Sequence, residues 1–442
     1  MQSRSFLFVF FLLIVLTFNA IWGRGPFSWG IGFVYIGYDT ALLLFVAFQM
    51  IKILRHETTP SIYESAAPKP TLAVLITARN EAAVLERCLS ALAAQSDLPD
   101  LVYWIDDGST DESAAVLKKF QASHSLKIIP IFKLHSGKAD SLNQVWPLAP
   151  AEIIVTLDAD TILERDAIFE MRNAFALNPR LAVTGGLLTP RSLSRPGSFF
   201  ENFQRFEYIR SFLARRAWME KNVLVLVSGA FAAYRKSVLS QVGGYDPASL
   251  VEDYDLTHRI HRFSYENGLH HQVQVCVRAR ATTDVPVTLQ LFLQQRKRWF
   301  GGFLQTHFKN SDMIGNPKYG SLGRIMLVIK SADTLQPIFG LVTLLALFHL
   351  LFSKVSLPGI IWIALLIKII LDLIFHYSSV GIYFRWRGER ADAKIWALST
   401  MATFLEPISF QIFRHFGALL GWVVFFSKKN EWIPQRESMI DS

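Results

Sequence analysis

The stretch "AEIIVTLDADTIL", Ala151 to Leu163, decides how the rest of the chain is read. Ile153, Ile154, Val155 and Leu157 form the short apolar run of a buried strand, and the run ends in Asp158 and Asp160 with one residue between them. In an extended chain alternate side chains share a side, so this spacing predicts two carboxylates pointing the same way. Like charges that close repel, and burial penalises both. A hard divalent cation, Mg²⁺ or Mn²⁺, would relieve the repulsion through oxygen ligands. The plainer alternative is a polar strand end followed by an aspartate that caps the next helix.

Outward from that strand, residues 71 to about 285 alternate apolar strands with amphipathic helices. "TLAVLIT", "LVYWIDD", "LKIIPIFKL" and "EIIVTLDAD" read as strands, with helical patterns between and after them. Repeated β-α-β units predict an α/β fold with a mostly parallel, Rossmann-like sheet and helices on both faces. In such sheets ligands bind outside the carboxyl ends of the strands. Polar residues gather at those ends: Thr77, Arg79, Asn80 and Glu81 after the first, Asp106 to Asp111 after the second, His135 to Lys138 after the third, Asp158 and Asp160 after the fourth. A turn or a cap explains any one of them; together they predict a single crevice. A metal on Asp160 with Asp158 beside it would neutralise a diphosphate, Lys138 would add a point charge, and Asp107 would bond a base or ribose. No G-x-G-x-x-G follows the first strand and no Walker lysine loop is present, which excludes the common dinucleotide and P-loop patterns.

The chain has 442 residues, 51% of them hydrophobic and only 18% charged, against roughly 25% charged in an ordinary soluble domain. The apolar excess lies at both ends. Blocks from Phe6 to about Trp22 and from about Phe33 to Ile53 are each long enough to cross a hydrocarbon core of about 30 Å. Further apolar blocks cover about 335–353, 359–384 and 393–426; the last, interrupted by Glu406-Pro407 and Arg414, is either one crossing with an interfacial helix or a broken pair. Lys52, Arg55 and His56 follow the second block, and "RWRGERADAK" and "SKKNEWIPQR" are basic, so the positive-inside rule puts the middle of the chain in the cytoplasm of a multi-pass protein of the inner (plasma) membrane. The net charge of +9 is met by anionic head groups of membrane lipids rather than by nucleic acid. Cys88 and Cys276 make no disulfide framework or metal spacing. The expected organisation is two N-terminal membrane helices over 1–55, a cytoplasmic domain over 56–285, amphipathic interfacial helices over 286–334, membrane helices over 335–426 and a cytoplasmic tail over 427–442.

Two stretches suggest the reaction. "GGYDPASLVEDYDLTHRIHR" sets Glu252 and Asp253 at a helix start, either as a cap or as a base that takes a proton from an attacking hydroxyl. In "LFLQQRKRWFGG", Gln295, Arg298 and Trp299 fall at i, i+3 and i+4 and share one helix face. Arg298 can pair with phosphate, and Trp299 offers a flat face to a sugar ring. The alternative is a helix lying on the membrane, with Arg296 and Lys297 at the head groups. The aromatic, basic segment 191–222 carries Phe199, Phe203, Phe206 and Ile209 at helical spacing; it reads equally as a packing helix under the site or as a lining of the acceptor path.

Asp107, the Asp158-x-Asp160 pair, Glu252-Asp253 and Gln295-x-x-Arg298-Trp299 occur in that order. The set, over about residues 71–303 with flanking apolar helices, resembles the membrane-embedded processive family 2 glycosyltransferases, which include cellulose, chitin, hyaluronan and poly-N-acetylglucosamine synthases. The resemblance implies a GT-A domain with Mg²⁺ or Mn²⁺ as cofactor and a UDP-sugar as donor. It implies that Thr77, Arg79, Glu81 and Asp107 contact the uridine, that Lys138 and Asp158 lie along the diphosphate, and that Asp160, with Asp158, holds the metal. Asp253 would be the general base, and Glu252, Gln295, Arg298 and Trp299 would hold the acceptor end and the pyrophosphate. The sugar would be transferred with inversion to a polysaccharide or lipid acceptor, with accessory export subunits as further partners. The family's usual Thr-Glu-Asp is Val251-Glu252-Asp253 here. "HSGKADSLNQ" and "VSGAFAAYRKSVLSQVGGYD" look most like the poly-N-acetylglucosamine and Nod-factor members, which favours UDP-N-acetylglucosamine. A single-addition enzyme acting on a membrane lipid is the rival expectation, and a catalytically dead assembly subunit the third.

Overall fold

The computed structural model describes residues 29–56, 69–352 and 359–427, together with Val15 and Phe18. The first apolar block, Phe6 to Trp22, lies outside the described residues but for these two positions, as does the tail after 427.

The central sheet has eight strands: β1 (Leu72–Ala78), β2 (Leu101–Asp107), β3 (Ile128–Lys133), β4 (Ile153–Asp158), β5 (Ile162–Leu163), β6 (Leu181–Pro190), β7 (Phe231–Arg235) and β8 (Gln272–Thr283). Their order is β3-β2-β1-β4-β7-β6-β8-β5. The sequence signal had pointed to the first four, and these pair in parallel through β1–β2, β1–β4 and β2–β3. Beyond β4 the sheet turns antiparallel at β7 and becomes parallel again between β6 and β8. The extra strands are hard to read in sequence because β7 is five residues long and β6 is interrupted by Gly185-Gly186.

Register brings the strand ends level. Thr77 sits opposite Asp158, Ala78 opposite Asp106 and Asp107 opposite Lys133. Strands β1 and β4 are almost wholly buried, since helices cover both faces of the sheet. The expectation about Asp160 needs correction: β4 stops at Asp158, and Asp160 lies in a tight turn closed by Thr161 N–H donating to the Asp158 carbonyl at 3.0 Å. Strand alternation therefore does not aim the two carboxylates; the turn does.

The segment 191–222 holds a helix, Phe199–Met219, begun by Ser198, whose side chain accepts from Glu201 N–H, while Glu201 reaches back to Gly197 N–H at 2.9 Å. This is a capping-box arrangement displaced by one residue. Phe200, Phe203, Phe206 and Ile209 are buried in the core, and Phe203 stacks on Phe410 with ring centroids 5.4 Å apart. The opposite face, with Glu207, Tyr208, Arg210, Ser211, Ala214 and Arg215, lines the cleft described below. Packing helix and cleft lining are thus two faces of one element.

Among the described residues four helices are long and apolar enough to cross a membrane: Gly30–Leu54, Leu322–Phe352, Gly359–Arg387 and Phe410–Ser427. The second starts well before residue 335, through a wide π turn over Leu322–Met326 that continues into Leu327–Phe352. The ambiguous last block divides into a 13-residue helix, Ala393–Leu405, and Phe410–Ser427, separated by a 3₁₀ turn at Glu406–Ile408, and only the second of these has crossing length. Glu406 is buried there and accepts from Arg210 of the Phe199–Met219 helix at 2.5 Å. That pairing explains a carboxylate amid apolar sequence.

Candidate active site

A cleft of about 1040 Å³ opens at the carboxyl ends of β1, β2 and β4 and runs to the membrane-type helices. Its walls include every site residue expected from sequence: Thr77, Arg79, Glu81, Asp107, Lys138, Asp158, Asp160, Glu252, Asp253, Gln295, Arg298 and Trp299. Side chains up to 222 residues apart in sequence, from Thr77 to Trp299, share one cavity.

At the strand-tip end Asp107 is only 4% exposed. Its Oδ1 accepts from Lys133 Nζ at 2.6 Å and from Ser136 N–H at 2.9 Å, and its Oδ2 from His135 Nδ1 at 2.7 Å and Gly137 N–H at 2.9 Å. Burial opposes its charge, but the bonds from Lys133, Ser136, His135 and Gly137 outweigh that and hold its pKa below the ordinary carboxylate value. The carboxylate therefore ties down the loop leading to Lys138. His135 Nε2 faces Arg79 Nη1 at 2.9 Å. Guanidinium can only donate and the carboxylate only accepts, so the imidazole bridges the two, Nδ1 facing Asp107 and Nε2 facing Arg79. Lys133 was not singled out in the sequence, because a lysine at a strand end is indistinguishable from a solvated one.

In the middle of the cleft, Lys138 Nζ pairs with Asp158 Oδ1 at 2.5 Å and with Glu252 Oε1 at 3.5 Å. Burial disfavours its charge, yet Asp158 and Glu252 together outweigh burial and keep it protonated. Glu252 is buried, and burial alone would raise its pKa; Lys138 and Arg298 carry it down instead. Asp253 goes the other way. Burial, and then the negative charge of Glu252, push its pKa up to about 6. Two adjacent carboxyls with pKa values driven apart is the pattern of a structural anion beside a base poised near neutrality.

Asp253 Oδ2 accepts from Gly229 N–H at 2.6 Å and Oδ1 from Tyr254 N–H at 2.7 Å, which fixes the carboxylate. A Cβ on Gly229 would lie 3.2 Å from Asp253 Cβ and Oδ2, a tight contact, so glycine gives the carboxylate room. The helix of Asp253, Glu252–Glu266, is joined to Leu289–Lys309 by Tyr254 OH and His307 Nε2 at 2.9 Å. Val251 packs where that second helix carries Gly302: a Cβ there would lie 2.4 Å from Val251 Cγ2. The departure at Val251 is thus an apolar contact that leaves the neighbouring acids in place.

At the far end Trp299 is covered on one side by the Arg296 guanidinium, 4.4 Å from the ring centroid. Arg296 is 3% exposed and forks onto Glu207 at 3.1 and 2.6 Å. The alternative reading, with Arg296 at the lipid head groups, does not hold for this buried side chain. Arg298 Nη1 donates to the Leu250 carbonyl at 3.3 Å, and Gln295 Oε1 is buried without a hydrogen-bond partner among the described residues. Glu207 was missed in the sequence, being one of three acids, with Glu201 and Glu220, in a basic, aromatic run.

Hard oxygen donors are present at Asp158 and Asp160, and Thr161 and Thr283 hydroxyls lie 3.3 and 3.5 Å from Asp160 Oδ1. No cluster of three or more His, Cys, Asp or Glu that could cage a metal occurs among the described residues. The two carboxylates at Asp158 and Asp160 are oxygen donors of the kind that hold Mg²⁺ or Mn²⁺ when phosphate and water complete the coordination.

Residues 68–302 match the glycosyltransferase-like family 2, and the chain belongs to that family, with a GT-A fold flanked by apolar helices that can span a membrane. It is 30% identical over 233 residues to a poly-β-1,6-N-acetyl-D-glucosamine synthase of Staphylococcus epidermidis, covering 52% of this chain and 54% of that protein. The corresponding synthase of Staphylococcus aureus strain COL is 29% identical over 230 residues, covering 52% and 53%. The chain thus matches about half the length of these curated relatives. A mannosyltransferase from Pyrobaculum calidifontis, solved in complex with GDP-Man and Mn²⁺, shares the fold with a TM-score of 0.57 at 17% identity, over 90% of this chain and 100% of its own.

Proposed function

We propose that the protein is an inverting, metal-dependent polysaccharide synthase. It transfers the sugar of a UDP-sugar, UDP-N-acetylglucosamine in particular, to the end of a growing β-linked glycan and passes that glycan across the membrane. The observation that carries this reading is the continuity of the cleft. One cavity joins the strand tips, the raised-pKa Asp253 and the helices that carry Asp39, Asp333, Thr334, Gln336 and Arg414. The donor preference rests on the relatives, which are N-acetylglucosamine polymer synthases.

The residues divide the work. Thr77, Arg79 and Glu81, with the Asp107-anchored loop, receive the nucleoside at the strand tips. Lys138 sits among acids and gives the diphosphate a cation. Asp158 and Asp160 would hold Mg²⁺ or Mn²⁺, which when bound neutralises the leaving diphosphate. Asp253 takes the proton from the acceptor hydroxyl as its oxygen attacks the anomeric carbon; the bond from that carbon to the diphosphate breaks on the opposite side, which inverts the anomer and frees UDP. Gln295, Arg298 and Trp299, beside Glu252, hold the acceptor end. The basic ends of the apolar helices favour a plasma-membrane protein with this site on the cytoplasmic side.

The test is to incubate membranes containing the protein with a panel of UDP-sugars and Mg²⁺ or Mn²⁺, with Asp253→Asn as control, and to size the product. A polymer from one donor, absent in the control, supports the reading. A glycolipid carrying a single added sugar would replace it with a lipid glycosyltransferase, and intact donor after long incubation would point to a non-catalytic assembly protein.

A further inference from the structure

The acceptor end of the cleft contains a device outside the recognised motif. Glu207, on the Phe199–Met219 helix, lines the cleft. Its two carboxylate oxygens take both arms of Arg296, at 3.1 and 2.6 Å, and Arg414 of the last membrane-type helix stands 3.7 Å from Oε1. Arg296 leaves no slack. Its guanidinium sits between the rings of Phe292 and Trp299, at 4.7 and 4.4 Å from their centroids. Its stem is pressed by the Phe410–Ser427 helix at Gly417, where an added Cβ would fall 2.6 Å from Arg296 Cβ. A bidentate Arg–carboxylate pair fixes direction as well as distance. A buried arginine so held covers one face of the Trp299 indole, which lines the cleft.

We propose that Glu207 is a positioning residue for the acceptor: acting through Arg296, it sets the angle of Trp299, against which the terminal sugar of the glycan lies. This deepens the synthase reading and rests on it. Glu207 itself exchanges no proton and contacts no reacting atom. The fork is tied to the last membrane-type helix by Arg414, so the acceptor platform is built jointly by the catalytic domain and the membrane segment. The cost of a misaligned platform falls on acceptor use, because orientation of bound reactants is where small displacements lose rate.

The experiment uses the full chain in membranes, with UDP-N-acetylglucosamine and short N-acetylglucosamine oligomers as acceptor. Two rates are followed: transfer to the oligomer, and UDP release into water without it. In Glu207→Gln, which keeps an accepting oxygen but loses the charge, the acceptor KM should rise about tenfold, with UDP release in water and donor KM unchanged. Glu207→Asp should recover part of the loss. In a Trp299→Ala background Glu207→Gln should have little further effect on acceptor KM, because the two changes act through one contact. Equal losses in transfer and in water release, or losses that multiply in the double variant, would overturn the proposal and make Glu207 a general structural residue. Absence of both transfer and UDP release in the unmutated protein would instead sink the synthase reading itself.

Discussion

The two ends of the cleft are built differently. At the strand tips, the functional side chains lie on the strands of the parallel half of the sheet or within a few residues of their ends, and register sets Thr77 beside Asp158 and Ala78 beside Asp106. At the membrane end, the platform is assembled from separate helices through long-range pairs, Arg296 with Glu207 and Arg210 with Glu406. Glycines admit the close approaches: Gly417 receives Arg296, and a Cβ on Gly421 would lie 2.7 Å from the Gly301 nitrogen. One end is a local consequence of β-α-β units. The other exists only when distant helices are docked. Damage at the first should therefore be chemical and confined, and damage at the second should pass into folding and acceptor handling.

The largest effect belongs to the group between the two ends. Asp253→Asn should cut transfer by about 10²–10⁴-fold, the usual worth of a positioned base, while UDP-sugar binding, read by protection of the folded protein against heat, survives. A loss of binding as large as the loss of rate would show that Asp253 belongs to the nucleotide end.

At the strand tips, Asp160→Asn should raise the Mg²⁺ or Mn²⁺ concentration needed for half-maximal rate by on the order of 10–100-fold. Chelation should abolish the activity of the unmutated protein reversibly. Metal dependence unchanged in the variant would move the ion to other donors. At the membrane end, Phe203→Ser exchanges a ring stacked on Phe410 for a buried hydroxyl, and truncating a buried Phe costs about 3–5 kcal/mol. Thermal unfolding in detergent should register this, and a stable variant that makes shorter product would show that the aromatic face lines the acceptor path.

The smallest effect is the most diagnostic. Burial and the Glu252 charge raise the Asp253 pKa to about 6, so a base at this position is protonated below that value. Transfer is present above that value and lost as pH falls through it, giving kcat/KM an acid limb near pH 6. Burial is the main cause of the shift and the Glu252 charge the next. Glu252→Gln should therefore slide the limb to lower pH, whatever it does to the plateau rate. A limb that stays put, or moves up, separates the two carboxylates and assigns the titration to another group.

The sequence by itself determined the β-α-β character, the acids and lysine at the strand tips, the acid pair before a helix, the Q-x-x-R-W face and the apolar ends of the chain. These are local signals: apolar runs, a period of 3.6 or 2, and polar residues at strand ends. Tertiary structure alone decided the rest. It turned the sheet antiparallel at β7 and aimed Asp160 by a turn beyond β4. It engaged Asp107 with its own loop and took Arg296 from the surface into a buried fork with Glu207. It also split the pKa values of neighbours as alike as Glu252 and Asp253. Apart from the local turn at Asp160, the deciding partner lies far away in the chain or the outcome depends on burial, and the energy of a charge is set by its surroundings as well as by its neighbours in sequence.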